Sequence, residues 1–373
     1  MANQTVEYDV IIRGAGVAGL GVASGFARRK KRALVVDTLS LKGSGTLAAA
    51  GILHPFFCQA QTSPMIPILA EAFDFFKHWR PQWAPHEIGF SIHPVGMNYL
   101  ACGMEEEQLL EAQYTWQIKK GVRIKKINRA KLLGNCPSLS PAISSGLNYR
   151  DVGYMEPRLF FKSVKKELKN KGVTFLDLPL PAEVSNRHGN FVLETKNKTF
   201  QALNYVDATG SWLAKNPDCS SIIEPLRGEV FVVSNQNIKL DTIYHTVEEF
   251  YVLPWQKWGT LLGSTSDRAG FRPSVTVKGK QYVFRGIQKI LPSITEQKVI
   301  QSWAGLRPVT KDQLPVFGKI TEKDSAFVIG GYFKNGMLLG PYLGDKLAEW
   351  IITGKQDRTL QILNPNRFKI RKK

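Results

Sequence analysis

Hydrophobic and polar positions along this chain fall into dense β-branched runs and longer helical stripes, and the two kinds alternate from the start. Tyr8-Asp9-Val10-Ile11-Ile12 predicts a buried strand, Leu20 to Lys30 a helix, and Ala33-Leu34-Val35-Val36 a second strand ending in Asp37. Leu159 to Lys171 has amphipathic helical spacing, and Val173 to Leu176 reads as a strand. Phe191 to Glu194 and Gln201 to Val206 read as a hairpin pair leading into Asp207-Ala208-Thr209-Gly210. The texture then changes. Glu229 to Val233, Phe250 to Leu253 and Thr260 to Gly263 predict strands separated by turns, as in an antiparallel sheet. Ala326 to Ile329 returns to α/β texture, followed by Gly330-Gly331 and a helix with Leu343, Leu347, Trp350 and Ile351 on one face and Gly354 as C-cap. Interleaving of the two textures predicts domains that are discontinuous in sequence.

Between the first strand and helix stands Gly14-Ala15-Gly16-Val17-Ala18-Gly19. Strand, glycine loop, helix, second strand and terminal acid in this register make a βαβ dinucleotide-binding unit. The first glycine allows the tight turn, the second brings backbone close to a pyrophosphate, and the third lets helix and strand pack closely. The helix N-terminus then offers N–H groups and a partial positive charge to the phosphates. Asp37 is placed to bond the ribose hydroxyls of the adenosine half. Arg13 stands where an apolar residue usually precedes the first glycine, so it sets a cation beside the pyrophosphate or else points to solvent.

Composition narrows the class. The 373 residues are 43% hydrophobic and 22% charged, an ordinary globular balance. No apolar stretch reaches the roughly 18 residues of a membrane-spanning helix. Met1 to Tyr8 lacks the charged-then-apolar pattern of a secretion signal, so a cytoplasmic location is expected. Cys58, Cys102, Cys136 and Cys219 form no C-x-x-C pair and read as reduced thiols. Fifty Lys plus Arg against 31 Asp plus Glu give a formal charge of +19. That excess is spread over Arg28 to Arg32, the acid-free stretch from Lys119 to Lys131, and the tail from Arg367 to Lys373. It reads as background in preference to a dedicated nucleic-acid site, which would otherwise sit around 119–131.

Six histidines (His54, His78, His86, His93, His188 and His245) show no i, i+4 pair, so no metal site is expected. No G-x-S-x-G and no P-loop motif occurs, which removes nucleophile-elbow hydrolysis and P-loop phosphoryl transfer. Cofactor redox chemistry remains. Several segments follow the βαβ unit in order: Gly45 to Gly51 (GTLAAAG), Asp207 to Gly210, Arg227-Gly228-Glu229, Tyr251 to Pro254, Trp303 to Asp312 (WAGLRPVTKD) and Gly330 to Leu339 (GGYFKNGMLL). With these the chain resembles the D-amino-acid oxidase superfamily of FAD-dependent amine oxidoreductases, and within it the bacterial glycine oxidases of thiamine biosynthesis.

The resemblance covers nearly the whole chain. It implies an α/β protein with a Rossmann-like, glutathione-reductase-type FAD-binding domain (1–83, 146–222 and 302–373) and an interleaved antiparallel-sheet substrate domain (84–145 and 223–301). It implies FAD held by Gly14, Gly16, Val17, Ala18, Gly19, Asp37, Thr46, Ala49, Ala50, Gly51, Val184, Thr209, Gly210, Gly305, Gly331, Asn335, Gly336, Met337 and Leu338. Gly336 to Leu338 match the turn beside the flavin pyrimidine, where the dipole of the last helix favours negative charge. Arg307 takes the position whose guanidinium pairs with the substrate carboxylate, a role suited to its planar fork. The competing role for Arg307 is a structural ion pair with Asp312. Tyr251 matches a tyrosine whose hydroxyl bonds the same carboxylate, and competes with a plain core tyrosine. Lys334 stands where these oxidases usually carry arginine, so the second charge is a point rather than a fork. His54, just after the small-residue loop, joins the catalytic set, with packing near the flavin favoured over substrate contact.

What the resemblance implies chemically is oxidation of the C–N bond of a small amine or amino acid. Hydride passes from the α-carbon to flavin N5, and the imine is hydrolysed to an oxo acid and ammonia or a smaller amine. Oxygen as acceptor makes this an oxidase, and a quinone-type carrier makes it a dehydrogenase. Such chemistry asks for orientation and a neutral amine more than for a side-chain base. Two alternatives stay open: oxidation of a glycine-like modification on a tRNA wobble uridine, and a non-catalytic flavin-binding protein. The sequence leaves the oligomeric state undetermined.

Overall fold

The computed structural model describes residues 4–38, 42–56, 59–83, 92–179, 183–234, 238–255, 259–321 and 325–368. Cys58, His86 and the basic tail from Lys369 to Lys373 lie outside the described residues.

Two extended sheets organise the chain. In the first, the order is Val316–Lys319, Ala326–Gly330, Lys198–Asp207, Gln4–Arg13, Ala33–Thr38, Thr174–Leu178. Its neighbours run parallel except the first pair, and the hairpin Ser185–Arg187 and Asn190–Glu194 adds on antiparallel to Lys198–Asp207. Val10, Ile11 and Ile12 have no exposed surface, as the continuous apolar run of a strand covered on both faces requires. On one face the helix Val17–Arg28 packs against the last helix, Gly336–Thr353. The two backbones touch there: a Cβ at Gly21 would meet the Gly340 carbonyl oxygen at 2.1 Å, and one at Gly344 would lie 2.3 Å from the Gly21 carbonyl carbon. Gly354 ends the last helix in the left-handed conformation, as its C-cap position predicts.

The second sheet runs Val299–Thr310, Ile223–Val233, Thr260–Gly263, Tyr251–Pro254, Ile243–Thr246, Met97–Ala101, Ser145–Tyr149, Ile124–Asn128. It is antiparallel except where Ile243–Thr246 meets Met97–Ala101. Residues 146–149 and 302–310, expected in the first unit, pair into this sheet instead, through ladders with Met97–Ala101 and Ile223–Val233. The expected basic stretch is not a bare positive surface. Arg123 pairs with Asp151, and Lys126 Nζ lies 2.6 Å from Glu111. Among the described residues, no helix is long and apolar enough to cross a membrane, and no cluster of metal-ligating side chains forms.

Candidate active site

A cavity of about 830 Å³ reaches from the glycine loop, at the end of the parallel strands, to the strands that carry Arg307 and Tyr251. At its nucleotide end the loop is held by backbone and carboxylate together. Gly14 N–H donates to the Val36 carbonyl at 2.7 Å, and Asp37 accepts from Ala15 N–H and Thr38 N–H, each at 2.7 Å. Gly14 sits at φ +103°, and a Cβ there would strike the Ala208 carbonyl oxygen at 2.6 Å, so only glycine makes this turn. Burial raises the Asp37 carboxyl above its ordinary range, and the two backbone donors work against that rise. Each Asp37 oxygen keeps a lone pair beyond its backbone partner, able to accept a hydroxyl proton.

Thr46, expected along a flavin, borders the cavity at the N-terminus of the first helix, where its hydroxyl accepts from Val17 N–H at 3.0 Å. Arg13 borders the nucleotide end of the cavity with its side chain partly exposed, and its Nη1 also lies 3.9 Å from Asp207. The Asp207 carboxylate is fully buried and also accepts from Thr209 Oγ1 and Asn216 Nδ2.

The other end of the cavity is built on glycine. Leu226 pairs with Arg307 and Gly228 with Gly305 across neighbouring strands, and the Arg307 guanidinium lies on the bare backbone of Gly228. Tyr251 faces Gly263 directly across the ladder, and its phenol covers that glycine in the same way. Arg307 donates from Nη1 to the Thr265 carbonyl at 2.9 Å and from Nη2 to Ser264 Oγ at 2.8 Å. The Ser264 side chain also opposes the effect of burial on the Tyr251 phenol. Thr265 is itself anchored, because its hydroxyl accepts from Glu229 N–H at 2.9 Å.

Arg307 does not pair with Asp312, the competing role open in the sequence. Asp312 is taken by Arg367, whose Nε lies 2.8 Å from it. The Arg307 partners are thus a carbonyl and a hydroxyl, both neutral. Burial pulls its pKa down, and Tyr251, Glu249 and Asp267 oppose this only through their fields. Burial likewise raises the Tyr251 phenol, with Arg307 opposing.

His54 and His245 both border the cavity and are both buried. His54 Nδ1 accepts from Phe56 N–H at 3.0 Å, which fixes that nitrogen as unprotonated, and its ring meets Tyr149 edge-on at 4.6 Å. His245 stacks on Tyr251 at 5.7 Å. Burial pushes both imidazoles down to about 3. Lys334 is ion-paired with Glu249, which also borders the cavity.

The remaining expected residues divide. Gly16, Val17, Ala18, Ala49, Ala50, Gly51, Thr209, Gly210, Gly305, Asn335, Gly336 and Met337 line this one cavity. Gly19, Val184, Gly331 and Leu338 do not. Gly19 lies under the loop, where a Cβ would sit 1.8 Å from the Gly14 carbonyl oxygen. Val184 packs beside the Leu34 and Val36 cluster of the first sheet, and Leu338 belongs to the core between the helices. Nothing in the sequence marks Ser264, Thr265 or Glu249 as neighbours of Arg307, since the contacts arise across strands.

Residues 9–350 match the DAO family, described as FAD dependent oxidoreductase. The chain belongs to this family. It is an FAD-dependent oxidoreductase with the fold of that family. It is similar to glycine oxidase from Geobacillus kaustophilus (strain HTA426), 25% identical over 352 residues and 93% of each chain. The crystal structure of glycine oxidase from Geobacillus kaustophilus superposes with a TM-score of 0.85 at 24% identity, covering 97% of this chain and 99% of that one. Iminodiacetate oxidase from Chelativorans sp. BNC1 superposes with a TM-score of 0.83 at 20% identity, covering 95% and 98%.

The cavity fits the family's cofactor on its own terms. Its glycine cradle leaves backbone at Gly16 facing only the Thr46 hydroxyl, and Asp37 waits with lone pairs at the ribose end. The Tyr332 hydroxyl is buried at a residue bordering the cavity and has no hydrogen-bond partner among the described residues. An orphan of this kind is costly unless a ligand completes it.

Proposed function

We propose that the protein oxidises the C–N bond of a small amine carrying one carboxylate. The observation behind this reading is the electrostatic state of Arg307. It is a partly buried guanidinium at the cavity wall, bonded to a carbonyl and a hydroxyl, with no carboxylate of the described residues at ion-pair distance. A partly desolvated cation without a counter-ion favours an anionic ligand, and a planar fork suits a carboxylate.

Bound FAD supplies the hydride acceptor, at N5. The chain's own residues do the rest. Arg307 grips the carboxylate, held in place by Ser264 and Thr265, and the Tyr251 phenol, over Gly263 at the same cavity wall, shares that grip. This fixes one end of the substrate, so the orientation of its α-carbon follows from the anchor. His54 and His245, held neutral by burial, add no competing positive charge to the pocket wall. Gly14, Gly16, Asp37 and the N-terminus of the helix starting at Gly336 are the groups that would hold the cofactor.

Anaerobic mixing of the FAD-loaded protein with glycine, sarcosine, D-alanine, D-proline and larger amines tests the reading through bleaching of the flavin absorbance. At least one carboxylated amine is expected to bleach it, and its methyl ester to do so far more slowly. Equal bleaching by acid and ester would refute the role of Arg307.

A further inference from the structure

Arg307 and Lys334, the two cations expected at the substrate end, are in opposite electrostatic states. Arg307 meets only neutral acceptors, whereas Lys334 is ion-paired with Glu249. Glu249 and Lys334 line the same cavity as Arg307, and the field of Glu249 acts on Arg307 itself. The pair is built in from both sides. Glu249 sits at φ +72° in the turn joining Ile243–Thr246 to Tyr251–Pro254, with its N–H donating to the Thr246 carbonyl at 3.0 Å. On the other side, Phe333 N–H donates to the Pro308 carbonyl at 3.1 Å and Asn335 N–H to the Tyr332 carbonyl at 2.9 Å, which fixes the turn carrying Lys334. The neighbouring acid, Glu248, is occupied by Lys289 at 2.7 Å and does not compete for Lys334.

We propose that Glu249 is a specificity-determining residue: by neutralising Lys334 it leaves Arg307 as the one available cation of the two and so selects amines with one carboxylate over amines with two. This rests on Arg307 being the carboxylate anchor. An ammonium is a compact point charge, and a carboxylate already bonded to it leaves little field for another anion. A second substrate carboxylate near Lys334 must also approach Glu249, a like charge. Discrimination then comes from the unfavourable contact with the wrong substrate as much as from the grip on the right one.

Sarcosine and iminodiacetate differ by the second carboxylate and form the matched pair for the test. The quantity measured is the ratio of their second-order rates of anaerobic flavin bleaching, on FAD-loaded wild type, Glu249→Gln and Glu249→Gln/Lys334→Met. Removing the acid is expected to raise the dicarboxylate-to-monocarboxylate ratio by about tenfold or more. Removing Lys334 as well is expected to return it. A ratio that stays within about twofold in Glu249→Gln overturns the proposal. A second measurement uses wild type alone, titrating the flavin absorbance with the unreactive ligands glycolate and malonate. Malonate is expected to bind no more tightly than glycolate, and a malonate affinity about tenfold higher overturns the proposal. If no carboxylated amine bleaches the flavin and glycolate leaves its spectrum unchanged, the Arg307 anchor has failed and the proposal falls with it. Normal handling of sarcosine with an unshifted ratio condemns the role of Glu249 alone.

Discussion

Replacing Gly228 with alanine adds a Cβ that would stand 2.3 Å from Arg307 Nη1 and 2.4 Å from its Cζ and Nη2. Ordinary contact begins at 3.4 Å, so the guanidinium must move by about 1 Å. The obstructing atoms end a flexible side chain, and the fold accommodates that shift cheaply. Melting temperature and FAD content are therefore expected to change little. Catalysis is another matter, because a misplacement of about 1 Å in a positioning group costs on the order of 10²-fold. That corresponds to about 2.7 kcal/mol of transition-state stabilisation. The assay is kcat/KM with the best amine of the bleaching panel, beside flavin content and a thermal melt. On an Arg307→Ala background the same substitution is expected to add almost nothing, since it acts only through the guanidinium. A kcat/KM within about threefold of wild type in Gly228→Ala would refute the reasoning.

Other consequences are as direct. Arg307→Ala is expected to lower kcat/KM at least about thirtyfold, since losing a buried charge-assisted partner costs on the order of 2–5 kcal/mol. Asp37→Ala is expected to weaken FAD retention on dialysis while leaving the visible spectrum of the remaining flavin unchanged, because its contacts lie at the glycine loop. Gly344→Ala forces a Cβ to within 2.3 Å of the Gly21 backbone and is expected to destabilise by about 1–3 kcal/mol or more, read as a fall in urea midpoint. His54 and His245 bind protons near 6.5 when unfolded but only near about 3 when folded. Between those values the unfolded chain holds more protons, so stability rises with pH and is lost on acidification from about 6.5 toward 3. Each contributes a slope of up to about 1.4 kcal/mol per pH unit, and His54→Gln is expected to flatten the dependence of urea stability by about one proton.

Local physics made the cofactor half legible. The run Val10-Ile11-Ile12, the glycine loop and Asp37 lie within one βαβ unit, where short-range sterics dictate both turn and helix start. Gly354 likewise announced the end of the last helix through its own backbone freedom. Segments whose burial follows no simple period stayed silent. Ile124–Asn128 buries only its first and fourth residues, and Met104–Lys119 buries only Leu110, Trp116 and Gln117, so neither shows the alternation or stripe that marks an element.

At the substrate end, residue type was readable and state was not. The sequence alone placed arginine, tyrosine and lysine in motifs resembling a carboxylate-binding oxidase. Only the tertiary structure decided that Asp312 goes to Arg367, that Arg13 lies near Asp207, and that Glu249 takes Lys334 while Arg307 keeps none but neutral partners. Charge pairing depends on distances of a few ångströms between strands and turns far apart in sequence, whereas a glycine turn depends on its own backbone. The first kind of fact is settled by packing, the second by the residue itself.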